Sequence, residues 1–426
     1  MENTASYPSD QGTPLSRLMK SLGPGIMMAA AAVGGSHLVA STKAGAIYGW
    51  QLALLILLVN LFKYPFFRAG IQYTMGTQKS LVQGYAGLGR FYLWIFMILT
   101  AISSVINTAA LTLFSASLLG YFVPFELSGT ILSAVVVATC LMILLAGHYK
   151  ALDSMSKIIM TVLTITTLLA VIIAFGHPAE TLPDAPSPSP WTLAAIGFLV
   201  VTMGWMPAPI EISTITSVWL KKQCQQQEVS AKSALFDFNV GYIGTAILAI
   251  IFLALGALLL HGTGTELSKS GIGFTHQLVG MYASTIGEWS RYLIAVVAFF
   301  CIFGSTITVI DGYSRVIDES YQLLRQQNQQ QPDEKSNLVF WMLCVSVCAL
   351  SILFFAKSAL IPMLNFAMIM AFITTPFFAL LNYILVTKTP LPEPLAVGPK
   401  LKYLSITGLI YLFGFLGIFI WWKLFL

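Results

Sequence analysis

AAIGFLVVTMGWMPAPIEISTITSVWL, residues 194–220, is long and apolar enough to cross a lipid bilayer, yet it carries Pro207 and Pro209 in its middle. Each proline lacks an N–H and clashes with the preceding turn, so a helix through this stretch breaks there. Lipid cannot hydrogen-bond the carbonyls that a break frees, and irregular backbone at this depth is buried in protein or lines a wet cavity. A second stretch, GPGIMMAAAAVGGSHLVASTKAGAIYG, residues 23–49, holds Gly34, Gly35 and Ser36 at its centre, followed at once by His37. These weak helix formers predict a second opening, although glycines in membrane helices also serve simply to let backbones approach.

Working outward, 57% of the 426 residues are hydrophobic and 9% are charged, against roughly a quarter charged in an ordinary soluble domain. That composition excludes a soluble core. Apolar windows of about twenty residues give eleven spans, near 23–47, 50–72, 91–121, 126–147, 155–176, 191–219, 236–260, 290–312, 338–356, 361–387 and 402–424. With a cytoplasmic N-terminus, all but five of the 22 Lys and Arg fall on the inner side; Lys43, Lys269, Arg291, Lys357 and Lys423 remain outside. The net charge of +5 is therefore a topology signal, and no nucleic-acid partner is implied. The Pro-rich segment 177–190 carries no Lys or Arg, as an outer loop should, and the Gln-rich run from Gln326 to Gln331 reads as a solvated inner linker.

The first twenty residues lack the order of a signal peptide. Four of the five cysteines, an odd count, sit in apolar runs and read as packing residues. No phosphate loop, HExxH or nucleophile elbow is present, so no enzyme activity, cofactor or obligatory protein partner is expected.

The two breaks fall in corresponding places if spans one to five and six to ten are repeats. An odd number of spans per repeat forces inverted topology, which builds a midplane site from discontinuous helices. The expected organisation is a cytoplasmic tail over 1–22, a ten-helix core over 23–387 with repeats at about 23–176 and 191–387, and a linker with an eleventh helix over 388–426.

A charge at midplane costs roughly 2.5–3.5 kcal/mol or more and usually has a function. His37 lies at the first break, either as a hydrogen-bonded packing residue or as a ligand or proton carrier. Glu211 follows the second break, where a half-helix N-terminus favours a carboxylate, either as a cap or as a cation ligand. Met206, with Met203 one turn earlier, can offer a soft thioether or simply pack, and Gly34 lies among the break-region backbone. Asp311 and Arg315, spaced i, i+4 with Glu319 beyond, read as a structural ion-pair ladder. Lys63 and Arg68 are expected to snorkel to the inner interface.

These residues resemble the natural resistance-associated macrophage protein (Nramp) family of divalent-metal transporters. Gly23-Pro24-Gly25, Ala44-Gly45-Ala46 and Gly49 look like the family's first helix. Asn60-Leu61, Thr77, Lys79 and Leu81 fall in its spacing, Met206-Pro207 stands in place of its MPH motif, and Ser305-Thr306-Ile307-Thr308 matches its STIT stretch. The resemblance implies an all-α fold of eleven helices, a leucine-transporter-type 5+5 inverted repeat with broken helices one and six, and manganese or iron as cargo, often moved with protons.

The chain also departs from the pattern. Gly34-Gly35-Ser36-His37 stands where the family has DPGN, Ala208 where it has the His of MPH, Ser213 where it has a second His, and Ser104 where it has an acidic residue in helix three. Of the family's three main side-chain ligands only Met206 remains. A site of His37, Met206, Glu211 and break carbonyls would mix N, S and O donors, which suit manganese, iron or cobalt better than magnesium. The reading is a divergent metal transporter of the bacterial cytoplasmic membrane, with His37 and Glu211 the remaining groups for proton coupling. The alternatives are a carrier of a small organic solute such as an amino acid and, since the chain stops just after the eleventh span, less readily a non-transporting membrane sensor.

Overall fold

The computed structural model describes residues 23–125, 127–147, 149–183, 188–226, 228–268, 270–326, 337–356 and 359–425. The tail over 1–22, most of the Gln-rich run, Lys269 and Lys357 lie outside the described residues. Every regular element among those described is helical.

The first span is α1 (Pro24–Ala32), a π-helical turn (Ser36–Ser41) and α2 (Thr42–Tyr48). Then follow α3 (Ala53–Thr77), α4 (Leu81–Leu88), α5 (Arg90–Gly120), α6 (Gly129–Leu145) and α7 (Tyr149–Gly176). The sixth span is split into α8 (Ile196–Gly204) and α9 (Ile212–Gln226). The remainder is α10 (Ala231–Leu259), α11 (Gly271–Ile286), α12 (Ser290–Gln326), α13 (Leu338–Ala356), α14 (Leu360–Lys388) and α15 (Pro399–Phe425).

Among the described residues, seven helices are long and apolar enough to cross a membrane, and three shorter apolar helices join them. One of the seven, Ser36–Thr77, is divided at Gly49, whose φ of 57° with ψ of −131° only glycine adopts without strain, so eleven crossings result. Large side chains such as Ile98, Met142, Ile172, Val347 and Ile410 stay exposed on this surface. Lipid, not water, is the solvent they suit.

Two elements were not expected. Helices α4 and α11 fold from segments that hydropathy leaves as loops, and each follows the second span of its repeat. Each starts at a serine cap: Ser80 accepts from Gln83 N, with the Gln83 side chain returning the bond, and Ser270 accepts from Gly273 N. Helix α12 also runs 37 residues, well beyond the apolar stretch 290–312, because its C-terminal end continues as a polar helix.

Helix α10 lies along both halves of the first span at backbone contact. A Cβ on Gly45 would meet Leu253 O at 2.0 Å, and one on Gly256 would meet Thr42 O at 2.1 Å. Small residues permit this approach, which in lipid is where packing energy is gained. The Asp237 carboxylate of α10 accepts from Gly23 N at 3.1 Å and Gly25 N at 2.7 Å, pinning the start of α1.

On the C-terminal half of α12, Arg315 donates to Asp311 at 2.8 Å. Glu319 does not extend this ladder. It pairs with Lys221 of α9 at 3.1 Å and accepts from Ser80 at 2.9 Å, tying three helices together.

Candidate substrate site between the two helix breaks

The first helix opens after Ala32, where Val33 leaves helical geometry (φ −78°, ψ 84°) and the backbone resumes as a π-helical turn. The carbonyls freed there are satisfied from the side chains around them. Ser305 Oγ donates to Ala30 O at 3.0 Å, Ser36 Oγ to Ala32 O at 2.6 Å, and Cys301 Sγ to Val33 O at 2.9 Å. Cys301 therefore has a polar task beyond packing, and Ser305 of the STIT stretch braces the break.

The second break spans the seven residues between α8 and α9. Here one side chain does the bracing. Lys63 is fully buried, and its Nζ donates to Met203 O at 2.8 Å, Gly204 O at 3.0 Å and Ala208 O at 3.5 Å. This corrects the expectation that Lys63 snorkels. The carbonyl end of α8, with its partial negative charge, offers the ammonium better ligands than a distant interface does.

The breaks meet at a small cavity. It is lined by Ala32, Gly35 and Ser36 from the first, Trp205, Ala208 and Pro209 from the second, and by Asn107 of α5 and Tyr313 of α12. Its interior has room for about one water-sized particle. Around it Asn107 Nδ2 donates to Tyr313 OH at 3.0 Å, and that hydroxyl donates to Glu211 Oε1 at 3.2 Å. Asn107 Oδ1, Glu211 Oε2 and Trp205 Nε1 are buried without a hydrogen-bond partner. Such orphaned groups are costly unless something fills the role of partner.

The sequence candidates do not converge on that cavity. The His37 ring faces α10: Nε2 donates to Thr245 O at 2.9 Å, Nδ1 hydrogen-bonds with Ser36 Oγ at 2.7 Å, and Phe252 stands edge-on with centroids 6.2 Å apart. Met203 turns its sulfur to α15, where Tyr411 OH donates to it at 3.0 Å. Met206 is fully buried, and Gly34 packs against Ser305, 3.2 Å from where a Cβ would lie. Glu211 reaches the cavity's wall through Tyr313. Gly35, Ser36 and Pro209, read as break residues, do line it. Lys63, Asn107, Trp205 and Tyr313 went unrecognised as site residues. A signal existed for two of them: Lys63 is a charge within a span, and Asn107 interrupts an apolar run.

Eleven crossings, two broken helices and a small cavity between them define an integral multi-pass membrane protein of the leucine-transporter type. Residues 25–422 match the natural resistance-associated macrophage protein-like family, and the chain belongs to it. Uncharacterized protein PM0681 of Pasteurella multocida is 51% identical over 402 residues, 94% of this chain and 91% of that one. The divalent metal cation transporter MntH of Staphylococcus saprophyticus is 26% identical over 277 residues, 62% of this chain and 61% of its own. In fold, a mutant of the manganese transporter of Eremococcus coleocola superposes with a TM-score of 0.71 at 15% identity, covering 98% of this chain and 89% of that one. Mhp1, a nucleobase-cation-symport-1 family transporter, does so at 0.60 and 12% identity, covering 94% and 92%.

Proposed function

We propose that this protein is a secondary transporter that moves a divalent metal cation, manganese or iron, by alternating access around the two helix breaks. The observation that carries the reading is the ion-sized cavity between the breaks, lined by Asn107 with its buried, unpartnered Oδ1 and joined to the Glu211 carboxylate through Tyr313. Oxygen acceptors without donors are what a cation completes. Family membership and the names of the metal-transporting relatives support the same cargo.

Among the sequence candidates, Glu211 is the side chain that keeps an uncommitted donor atom for the metal, and Asn107 joins it. His37, Met203 and Met206 would contribute only after a rearrangement that releases their present partners. Transport needs no catalytic group. Coupling to protons would fall to Glu211 or His37, and acidification of the vesicle lumen during uptake would reveal it. The charge bias supports an N-terminus in the cytoplasm of a bacterial cell. The matching places of α4 and α11 support repeats over about 23–176 and 191–387, with 388–426 carrying the last helix.

A second reading, a small organic solute on the same scaffold, is favoured by one observation: the Lys63 ammonium already sits on the carbonyls that a metal would seek. Manganese uptake into proteoliposomes tests the choice. Saturable uptake by the purified protein supports the metal. No uptake, together with thermal stabilisation by an organic solute alone, supports the alternative.

A further inference from the structure

We propose that the Lys63 ammonium is a tethered cation that fills the cation position at the carbonyl end of the broken sixth helix, so that this break requires no bound ion to be stable. Three N–H groups of one ammonium meet three carbonyls, those of Met203, Gly204 and Ala208, at 2.8, 3.0 and 3.5 Å. The side chain has no solvent exposure. A bare charge in that position carries a large desolvation cost. Two features offset the cost: the carbonyl dipoles and the partial negative charge at the end of α8.

A set of convergent backbone carbonyls at a half-helix C-terminus is also the site where discontinuous helices coordinate sodium or a proton-carrying ion. In this chain the ligands are already used. The first break tells the same story with neutral donors, because Ser305, Ser36 and Cys301 occupy the carbonyls of Ala30, Ala32 and Val33. Neither break leaves these six carbonyls to a mobile ion, so no monovalent co-ion is needed to build the site. This inference concerns the scaffold and stands whether the cargo is a metal or an organic solute.

The test is thermal unfolding of the purified protein in choline chloride and in sodium or potassium chloride at equal ionic strength, a readout independent of transport. Wild type is expected to melt at the same temperature in all three salts. Lys63→Ala, which empties the position, is expected to melt lower than wild type in choline and to recover by several degrees in sodium or potassium. A Lys63→Ala protein indifferent to the salt overturns the proposal, as does a wild type that needs sodium. If Lys63→Ala yields no folded protein, Lys63→Gln decides in the same salts. That variant keeps N–H donors without the charge: dependence on sodium supports a tethered cation, and indifference shows that hydrogen bonding alone is required and overturns it.

Discussion

Gly35 and Trp205 hold the two broken helices against each other: a Cβ on Gly35 would lie 2.5 Å from Cζ3 of the Trp205 indole. Both residues line the cavity, so the contact sets how closely the breaks approach and how large the space between them is. Gly35→Ala must displace the indole or the backbone, an overpacking that costs about 1–3 kcal/mol. The predicted result is a lowered melting temperature and a marked drop in manganese uptake. Trp205→Phe, which shrinks the partner, is predicted to restore part of the uptake in the double variant.

Glu211 is the acidic side chain of the site. Glu211→Gln keeps the shape and the contact with Tyr313 while removing the charge. The concentration for half-maximal manganese uptake should rise at least about tenfold, equivalent to about 1.4 kcal/mol. Uptake measured over a manganese titration checks this, and unchanged half-saturation would remove Glu211 from the site.

Tyr313 joins Asn107 to Glu211 by two hydrogen bonds. Tyr313→Phe leaves Glu211 Oε1 without its donor, a cost of about 1–3 kcal/mol for a buried group left unpaired, while Asn107 Nδ2 keeps its bond to Ser103 O at 2.9 Å. The expected outcome is reduced stability and weaker metal binding together, read by thermal unfolding with and without manganese. An Asn107→Ala variant that binds manganese as well as wild type would contradict the assignment of its oxygen.

His37 offers the clearest separation of packing from ligation. Both ring nitrogens are engaged and the ring faces α10. His37→Gln is therefore predicted to lower the melting temperature while leaving half-saturation for manganese unchanged in the folded fraction. A selective loss of manganese affinity without loss of stability would make His37 a ligand.

How much of this was legible in the sequence follows from which forces act locally. Spans are written in residues 194–220 and their like because lipid demands long apolar helices, and the breaks are written in Pro207, Pro209 and Gly34–Gly35 because those residues fail as helix formers wherever they stand. Helices α4 and α11 were missed because hydropathy sees only the membrane; Ser80 with Gln83 was a readable capping box. The site was less legible. Which way His37 points depends on the π-helical turn that carries it, and Met203 is drawn to Tyr411 of the eleventh span, far along the chain. Lys63 looked like a snorkelling cation because the carbonyls it serves exist only once α8 has ended beside α3.

The most direct test of the central claim is an anomalous-scattering map from crystals soaked with manganese. The account predicts a peak in the cavity bounded by Gly35, Ser36, Asn107, Trp205 and Tyr313, within reach of Asn107 Oδ1 or Glu211 Oε2. A well-ordered structure with no manganese peak between the two breaks, or with manganese bound only elsewhere, would contradict it.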